Sequence, residues 1–298
     1  MTAPLQGIIP ILATPFDESG AVALADLKRL VDFELSAGAA GVAVFGMASE
    51  GFTLTTSERA DILQLTRSQV GARVPIVAGV SATSTATAVE QGRHSVDNGA
   101  DALMVLPPHL VKPSRDQLVD FFGTVASACQ TPIMIQDAPG TTGVALPTPV
   151  LAELAKLDGV DYVKVEAPPT AVKVGAVVDA APQLTVFGGQ NALFVLEERA
   201  RGAVGTMPAC EFTDLLADIL TQWDAGDAEG ARNGFDRLLP LIRFGMQPGI
   251  AYAIHKEVLV LRGIISSAVV RSPAAPLDAR SRADLLTVLR RLPELRAH

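Results

Sequence analysis

Short apolar runs alternate with amphipathic segments from one end of the chain to the other. The runs Ile8–Pro15, Gly41–Phe45, Pro75–Val80, Ala102–Leu106, Pro132–Gln136, Val160–Glu166, Leu184–Phe187 and Gly202–Met207 are largely apolar on both faces. That pattern predicts strands of a parallel sheet covered by helices. Between them, Ala25–Ser36 places Leu27, Leu30, Val31 and Leu35 on one side and turns Asp26, Lys28 and Arg29 elsewhere. Thr56–Val70 opens on Thr56–Ser57–Glu58, a capped start, and Ser84–Asn98 stops at Asn98–Gly99. Ser114–Ala128, Thr148–Leu157, Thr170–Ala180 and Ala192–Arg199 complete the helical set. Strands and helices in strict alternation predict an α/β fold, a closed (β/α)8 TIM barrel. The alternative, an open doubly wound sheet, lacks its Gly-x-Gly-x-x-Gly turn after the first strand.

Helical pattern continues after the eighth strand, over Glu211–Trp223, Ala228–Phe244, Ile250–Gly263 and Ser281–Leu292. This divides the chain into a barrel, residues 1–224, and a C-terminal helical tail, residues 225–298, read as a cap or an oligomer interface. Gly226–Asp227 and the stretch from Arg271 to Pro276 are turns within that tail.

In such barrels chemistry gathers at the C-terminal ends of the strands. Strand six delivers Lys164 and Glu166 there, and a spacing of two puts both side chains on one face. Burial of a lysine at the end of an apolar strand favours the neutral amine, which can attack a carbonyl to form a Schiff base. The plain alternative is a structural ion pair with Glu166. Glu166 is otherwise the acid/base that moves protons at the carbon beside the iminium. Lys28, Lys156, Lys173 and Lys256 fall in helical patterns and are expected in solvent. Ser49, at a Gly-flanked turn ending in Glu50, can bind a carboxylate through its hydroxyl and turn amides, or cap a helix. His109 follows strand four and can reach a ligand. His94 is expected on a helix surface, and His255 on a surface or interface of the tail helix.

Composition narrows the function classes. The chain has 298 residues, 49% hydrophobic and 19% charged, with a formal net charge of -8. The acidic balance argues against nucleic acid as a partner. Cys129 and Cys210 are expected as reduced, packed thiols. No His/Asp/Glu spacing suggests a metal, and no cofactor is called for. The opening MTAPLQG has no basic leader, and no apolar run spans a bilayer, so a cytoplasmic enzyme with no membrane partner is expected.

The motifs resemble those of the dihydrodipicolinate synthase / N-acetylneuraminate lyase family over nearly the whole chain. Gly7–Ile8–Ile9–Pro10–Ile11–Leu12–Ala13–Thr14–Pro15–Phe16 is similar to the family's opening strand. Gly46–Met47–Ala48–Ser49–Glu50 sits where the family has G-T-T-G-E. Pro132–Ile133–Met134–Ile135–Gln136–Asp137–Ala138–Pro139 aligns with its P-(i)-x-(l)-Y-N-x-P, and Val163–Lys164 matches its lysine strand. The resemblance implies a barrel with a helical tail, a homotetramer, and a lyase that joins its lysine to a small 2-oxo acid such as pyruvate.

Departures from the family pattern redirect the expected chemistry. Gln136 replaces the relay tyrosine, and Thr141 stands at the arginine of the lysine-pathway synthases. Met47 and Ala48 replace two hydroxyl residues, leaving Ser49. The tyrosine lent by a neighbouring subunit falls near His109 or Leu110. Lys164–Val165–Glu166 resembles the K-x-E of dehydratases of 2-keto-3-deoxy sugar acids, such as the L-2-keto-3-deoxyarabonate dehydratases. This implies Lys164 and Glu166 as catalytic, with Ala48, Ser49, Gln136, Thr142 and the backbone at Gly189 and Val204 around the substrate. A pyruvate-dependent aldolase or a dihydrodipicolinate-synthase-like enzyme is the alternative, and a non-catalytic ligand-binding barrel the third reading.

Overall fold

The computed structural model describes residues 4–295, so Met1–Ala3 of the opening segment and the last three residues lie outside it. Eight parallel strands run in the order β1-β8-β7-β6-β5-β4-β3-β2. They are β1 (Gly7–Ile8), β2 (Val42–Val44), β3 (Ile76–Val80), β4 (Ala102–Val105), β5 (Ile133–Asp137), β6 (Val160–Val165), β7 (Thr185–Gly188) and β8 (Gly205–Thr206). Parallel bridges from Ile11 to Ala43 and to Ala209 close the ring between its first and last members. The architecture is the (β/α)8 barrel, with a helix after each strand and further helices at the C-terminus.

Two strands are far shorter than their apolar runs. Ile8–Pro15 contributes the ladder Gly7–Ile8 and the bridge at Ile11, because Pro10 and Pro15 have no N–H to donate. Gly202–Met207 pairs only at Gly205–Thr206. Helix limits lie close to the sequence pattern. Thr56–Val70 begins with a capping box in which the Thr55 hydroxyl and the Glu58 carboxylate each satisfy the other's backbone N–H. Arg115–Cys129 repeats the device with Ser114 and Gln117.

The period-two alternation of the strands separates two apolar layers. Outward residues such as Val163, Val165 and Val186 pack under the helices. Inward residues, including Ile9, Ile11, Val77, Met104, Met134 and Phe187, fill the barrel. A third cluster joins the last barrel helix, Thr213–Asp224, to the tail: Leu216 and Ile219 pack with Phe235, Leu238, Ile254 and Leu285. Each such side chain contributes about 1.5–3 kcal/mol when fully buried. The tail is thereby fixed against the barrel instead of trailing from it.

The expectation that the helical lysines are solvated fails at two positions. Lys256 is wholly buried and pairs with Glu50 at 2.5 Å, while Lys173 pairs with buried Asp137 at 2.5 Å. Both sit on apolar helices that pack inward, so their ammonium groups reach carboxylates at the strand ends. Cys129 and Cys210 are free and buried, and burial pushes both thiols up. Among the described residues no helix is long and apolar enough to cross a membrane. None of them forms a metal-holding group of three or more His, Cys, Asp or Glu.

Candidate active site

Along β6, Val163 and Val165 point outward while Tyr162 and Lys164 point into the barrel. Glu166 lies one residue beyond the strand and keeps the alternation, so it shares the inward face with Lys164. The Lys164 Nζ is 3.2 Å from the Glu166 Oε1, and Lys164 is only 3% exposed.

The neighbouring strands fix the Glu166 carboxylate. Gln136 stands in register with Lys164 across β5 and β6. Its Nε2 donates to Glu166 Oε2 at 2.9 Å. From the end of β7, the Gln190 backbone N–H donates to Oε1 at 3.4 Å, and the Gln190 side-chain amide donates to the Glu166 main-chain oxygen at 2.6 Å. Gln190, Asn191 and Ala192 all have positive φ, 48°, 55° and 63°. Three consecutive left-handed residues without glycine are costly, at roughly 1–3 kcal/mol each, and such strain gathers at functional sites. Here it folds the chain back so that Gln190 closes over Glu166. Asn191 then ties the turn to its neighbours, accepting from the Ala209 N–H at 2.9 Å.

Two further carboxylates lie close by. Glu198, on the helix after β7, is 1% exposed, and a Cβ on Gly188 would meet its Oε2 at 1.9 Å. Burial pushes Glu198 up to about 7; Thr170 opposes the shift, Glu197 and Glu166 add to it, and Lys164 opposes it. Asp137, at the end of β5, is raised by burial against the pull of Lys173.

Lys164 and Glu166 open into a cavity of about 420 Å³ at the C-terminal end of the barrel. Met47, Ala48, Ala138 and Thr141 line it from the barrel loops. The tail lines the rest, with Met246, Tyr252 and His255 among its contributions. His255 is thus a buried cavity residue, and the helix-surface half of its expectation fails. Its helix, Ala251–Leu261, buries Ala253, Ile254, Val258 and Leu259 as well. That nearly all-round apolar character was the sequence signal that the helix is enclosed.

The structure brings together Lys164, Glu166, Gln136, Ala48 and Gly189. A Cβ on Gly189 would lie 2.3 Å from the Glu166 Cγ. Ser49 is buried beside Ala48, with its Oγ unpartnered and its carbonyl accepting from the Thr14 hydroxyl at 2.6 Å. The hydroxyl of Thr142 is occupied by its own turn, donating to Ala138 O at 3.0 Å and accepting from Val144 N at 3.1 Å. Its neighbour Thr141 faces the cavity instead. Val204 is not brought to the site. It precedes β8, lines a second cavity with Gly7 and Arg199, and its carbonyl accepts from both. His109 lies outside the first cavity.

The chain has counterparts among known proteins. Residues 4–292 match the Dihydrodipicolinate synthetase family. The chain belongs to that family. An L-2-keto-3-deoxyarabonate dehydratase of Azospirillum brasilense is 32% identical over 97% of this chain and 95% of its own. A 4-hydroxy-tetrahydrodipicolinate synthase of Bartonella quintana is 31% identical over 92% and 93%. Among solved structures, a dihydrodipicolinate synthase from Rhodopseudomonas palustris superposes with a TM-score of 0.91 at 29% identity, covering 98% of this chain and 99% of that one. Like other members of the family, the protein is a lyase working through a lysine Schiff base.

Proposed function

We propose that Lys164 is the Schiff-base lysine and that the protein dehydrates a 2-keto-3-deoxy sugar acid. Lys164 attacks C2 of the 2-oxo acid and forms an iminium, an electron sink that acidifies the C3 protons. Glu166 takes a C3 proton, and the enamine expels the C4 hydroxyl, which leaves as water with the proton Glu166 holds. The hydroxyl-bearing chain lies along Gln136 and the Thr141–Thr142 turn. The C1 carboxylate lies at the Met47–Ala48–Ser49 turn. There the amides of Ser49 and Glu50 bond within the turn, to Gly46 O and Met47 O.

The observation that carries this reading is the Glu166 carboxylate, 3.2 Å from the Lys164 amine and held by the side chain that stands in the tyrosine's place. Gln136 has no proton to relay, so the carboxylate is the acid/base within reach of C3. The similarity to the Azospirillum brasilense dehydratase supports the same choice. Borohydride trapping with peptide mapping tests the lysine: a pyruvate adduct on Lys164 is expected. Product analysis tests the reaction. A dehydrated product without pyruvate is expected, whereas pyruvate plus an aldehyde identifies an aldolase. Glu166→Gln is expected to form the imine and lose turnover; normal turnover overturns the assignment.

The homotetramer belongs to the same proposal. Leu110 and Val111, in the loop after β4, are each 77% exposed, as an apolar contact between copies of the chain requires. Light scattering tests it.

A further inference from the structure

The tail contributes a polar pair that the chemistry above leaves unused. His255 lies in the helix Ala251–Leu261, is 5% exposed, and lines the cavity that holds Lys164 and Glu166. Its Nδ1 is 2.7 Å from the Glu211 Oε1, and Glu211 is wholly buried just after β8. Arg262 holds Glu211 in place by donating to its main-chain oxygen at 2.8 Å. Behind this pair, Glu34 is held well above the usual carboxylate range, first by burial, with Asp214 and Glu211 adding to it. In the tautomer whose Nδ1–H donates to the Glu211 carboxylate, Nε2 is the acceptor nitrogen. Among the described residues Nε2 has no hydrogen-bond partner, and the ring lines the cavity. Tyr252, three residues earlier, shares this helix face and also lines the cavity.

The geometry points to His255, oriented by Glu211, as the group that contacts the hydroxyl-bearing end of the lysine-bound substrate and moves a proton there. This rests on the dehydratase reading and extends it. Loss of water from a five-carbon 4,5-dihydroxy-2-oxo acid leaves an iminium at C2, a double bond between C3 and C4, and a CH2OH at C5. A saturated semialdehyde forms only if C5 loses a proton. Removing that proton pushes its electron pair through C4=C3 into the iminium and leaves an enol at C5. The enol then loses its hydroxyl proton, C4 and C3 each gain one, and hydrolysis frees the lysine. Two protons leave and two return, so no oxidant is required. Glu166 serves C3 beside the iminium, and C5 is two carbons farther along the chain. A base is needed at that end, and His255 provides one on the tail side of the cavity.

Imine trapping separates recognition from turnover. Wild type, His255→Asn and His255→Gln would be trapped by borohydride with pyruvate, which has no distal end, and with a 4,5-dihydroxy-2-oxopentanoate. Asn retains a donor for Glu211 but cannot reach as Nε2 does. The His255→Asn protein is expected to trap pyruvate within about twofold of wild type and to need about tenfold more dihydroxy acid, the effect of one lost hydrogen bond. Gln is expected to regain part of that affinity. Both variants are expected to lose about a hundredfold or more in semialdehyde formation, as removal of a general base does. Equal trapping of both acids by all three proteins overturns the proposal, as does pyruvate trapping that falls in parallel with that of the longer acid. If wild type traps the dihydroxy acid but releases no water, the dehydratase reading falls while the trapping comparison still decides the contact. A wild type that takes pyruvate and refuses the longer acid overturns it as well.

Discussion

Gly189 and Glu166 touch backbone to side chain: a methyl group on Gly189 would lie 2.3 Å from the Glu166 Cγ. Carbon atoms do not approach so closely, so the Glu166 carboxylate occupies its place only because residue 189 has no side chain. The Gly189→Ala protein is therefore expected to displace Glu166 from the Lys164 amine. A shift of about 1 Å at a reacting group costs on the order of a hundredfold in rate. Turnover should fall by that factor while borohydride trapping of pyruvate on Lys164 persists, and measuring both on one preparation checks the expectation.

Removing the Gln136 donor addresses the same carboxylate from the other side. Gln136→Met deletes the 2.9 Å hydrogen bond to Glu166 Oε2 and keeps an unbranched side chain of similar length. A loss of about tenfold in kcat is expected, corresponding to one hydrogen bond to a charged group. Steady-state kinetics with an unchanged thermal midpoint distinguishes this from unfolding.

The Glu50–Lys256 pair is expected to matter for stability. Both residues are wholly buried; Lys256 also donates to Val269 O at 2.8 Å, and Glu50 accepts from the Arg271 backbone N–H at 2.9 Å. Lys256→Met leaves a buried carboxylate without its cation, which costs about 3–5 kcal/mol. The double replacement Glu50→Gln with Lys256→Met removes both charges and should recover much of that loss. Denaturant midpoints of the three proteins check it.

Glu198 is expected to make stability depend on pH. Burial holds it at about 7 in the folded chain, against 4.5 for an ordinary glutamate. Between those values the folded state keeps a proton that the unfolded state has lost, so stability falls as pH rises. Glu198→Gln has no such proton. Relative to wild type, it should gain about 2–3 kcal/mol on going from pH 5 to pH 8. Chemical unfolding at the two pH values measures the difference.

Much of this was legible from residue order because β6 is well patterned. Its period of two places Lys164 and Glu166 on one face whatever the surroundings, and the structure has them 3.2 Å apart. Val204 shows the limit of the same reasoning. It rested on the resemblance alone, and it precedes β8, whose opposite end, at Met207, is the one that meets the cavity. Thr141 and Thr142 are adjacent hydroxyls, and a single helical turn, Pro139–Thr142, decides which of them faces inward. The buried roles of Lys173 and Lys256 depend on carboxylates at distant strand ends, which helical periodicity does not report. His255 was missed for a related reason: the pattern of its helix indicates enclosure but not what encloses it.

The cavity has two owners in the sequence. The barrel provides the amine and the carboxylate, and a helix more than eighty residues further along provides His255 and Tyr252 on its wall. The lining of a single cavity is therefore written in two separate stretches of the chain. Exchanging Tyr252 or its neighbours on the inner side of Ala251–Leu261 reshapes the cavity wall while leaving Lys164 and Glu166 in place, which makes that helix the place where a relative could acquire a new diet while retaining an old lysine.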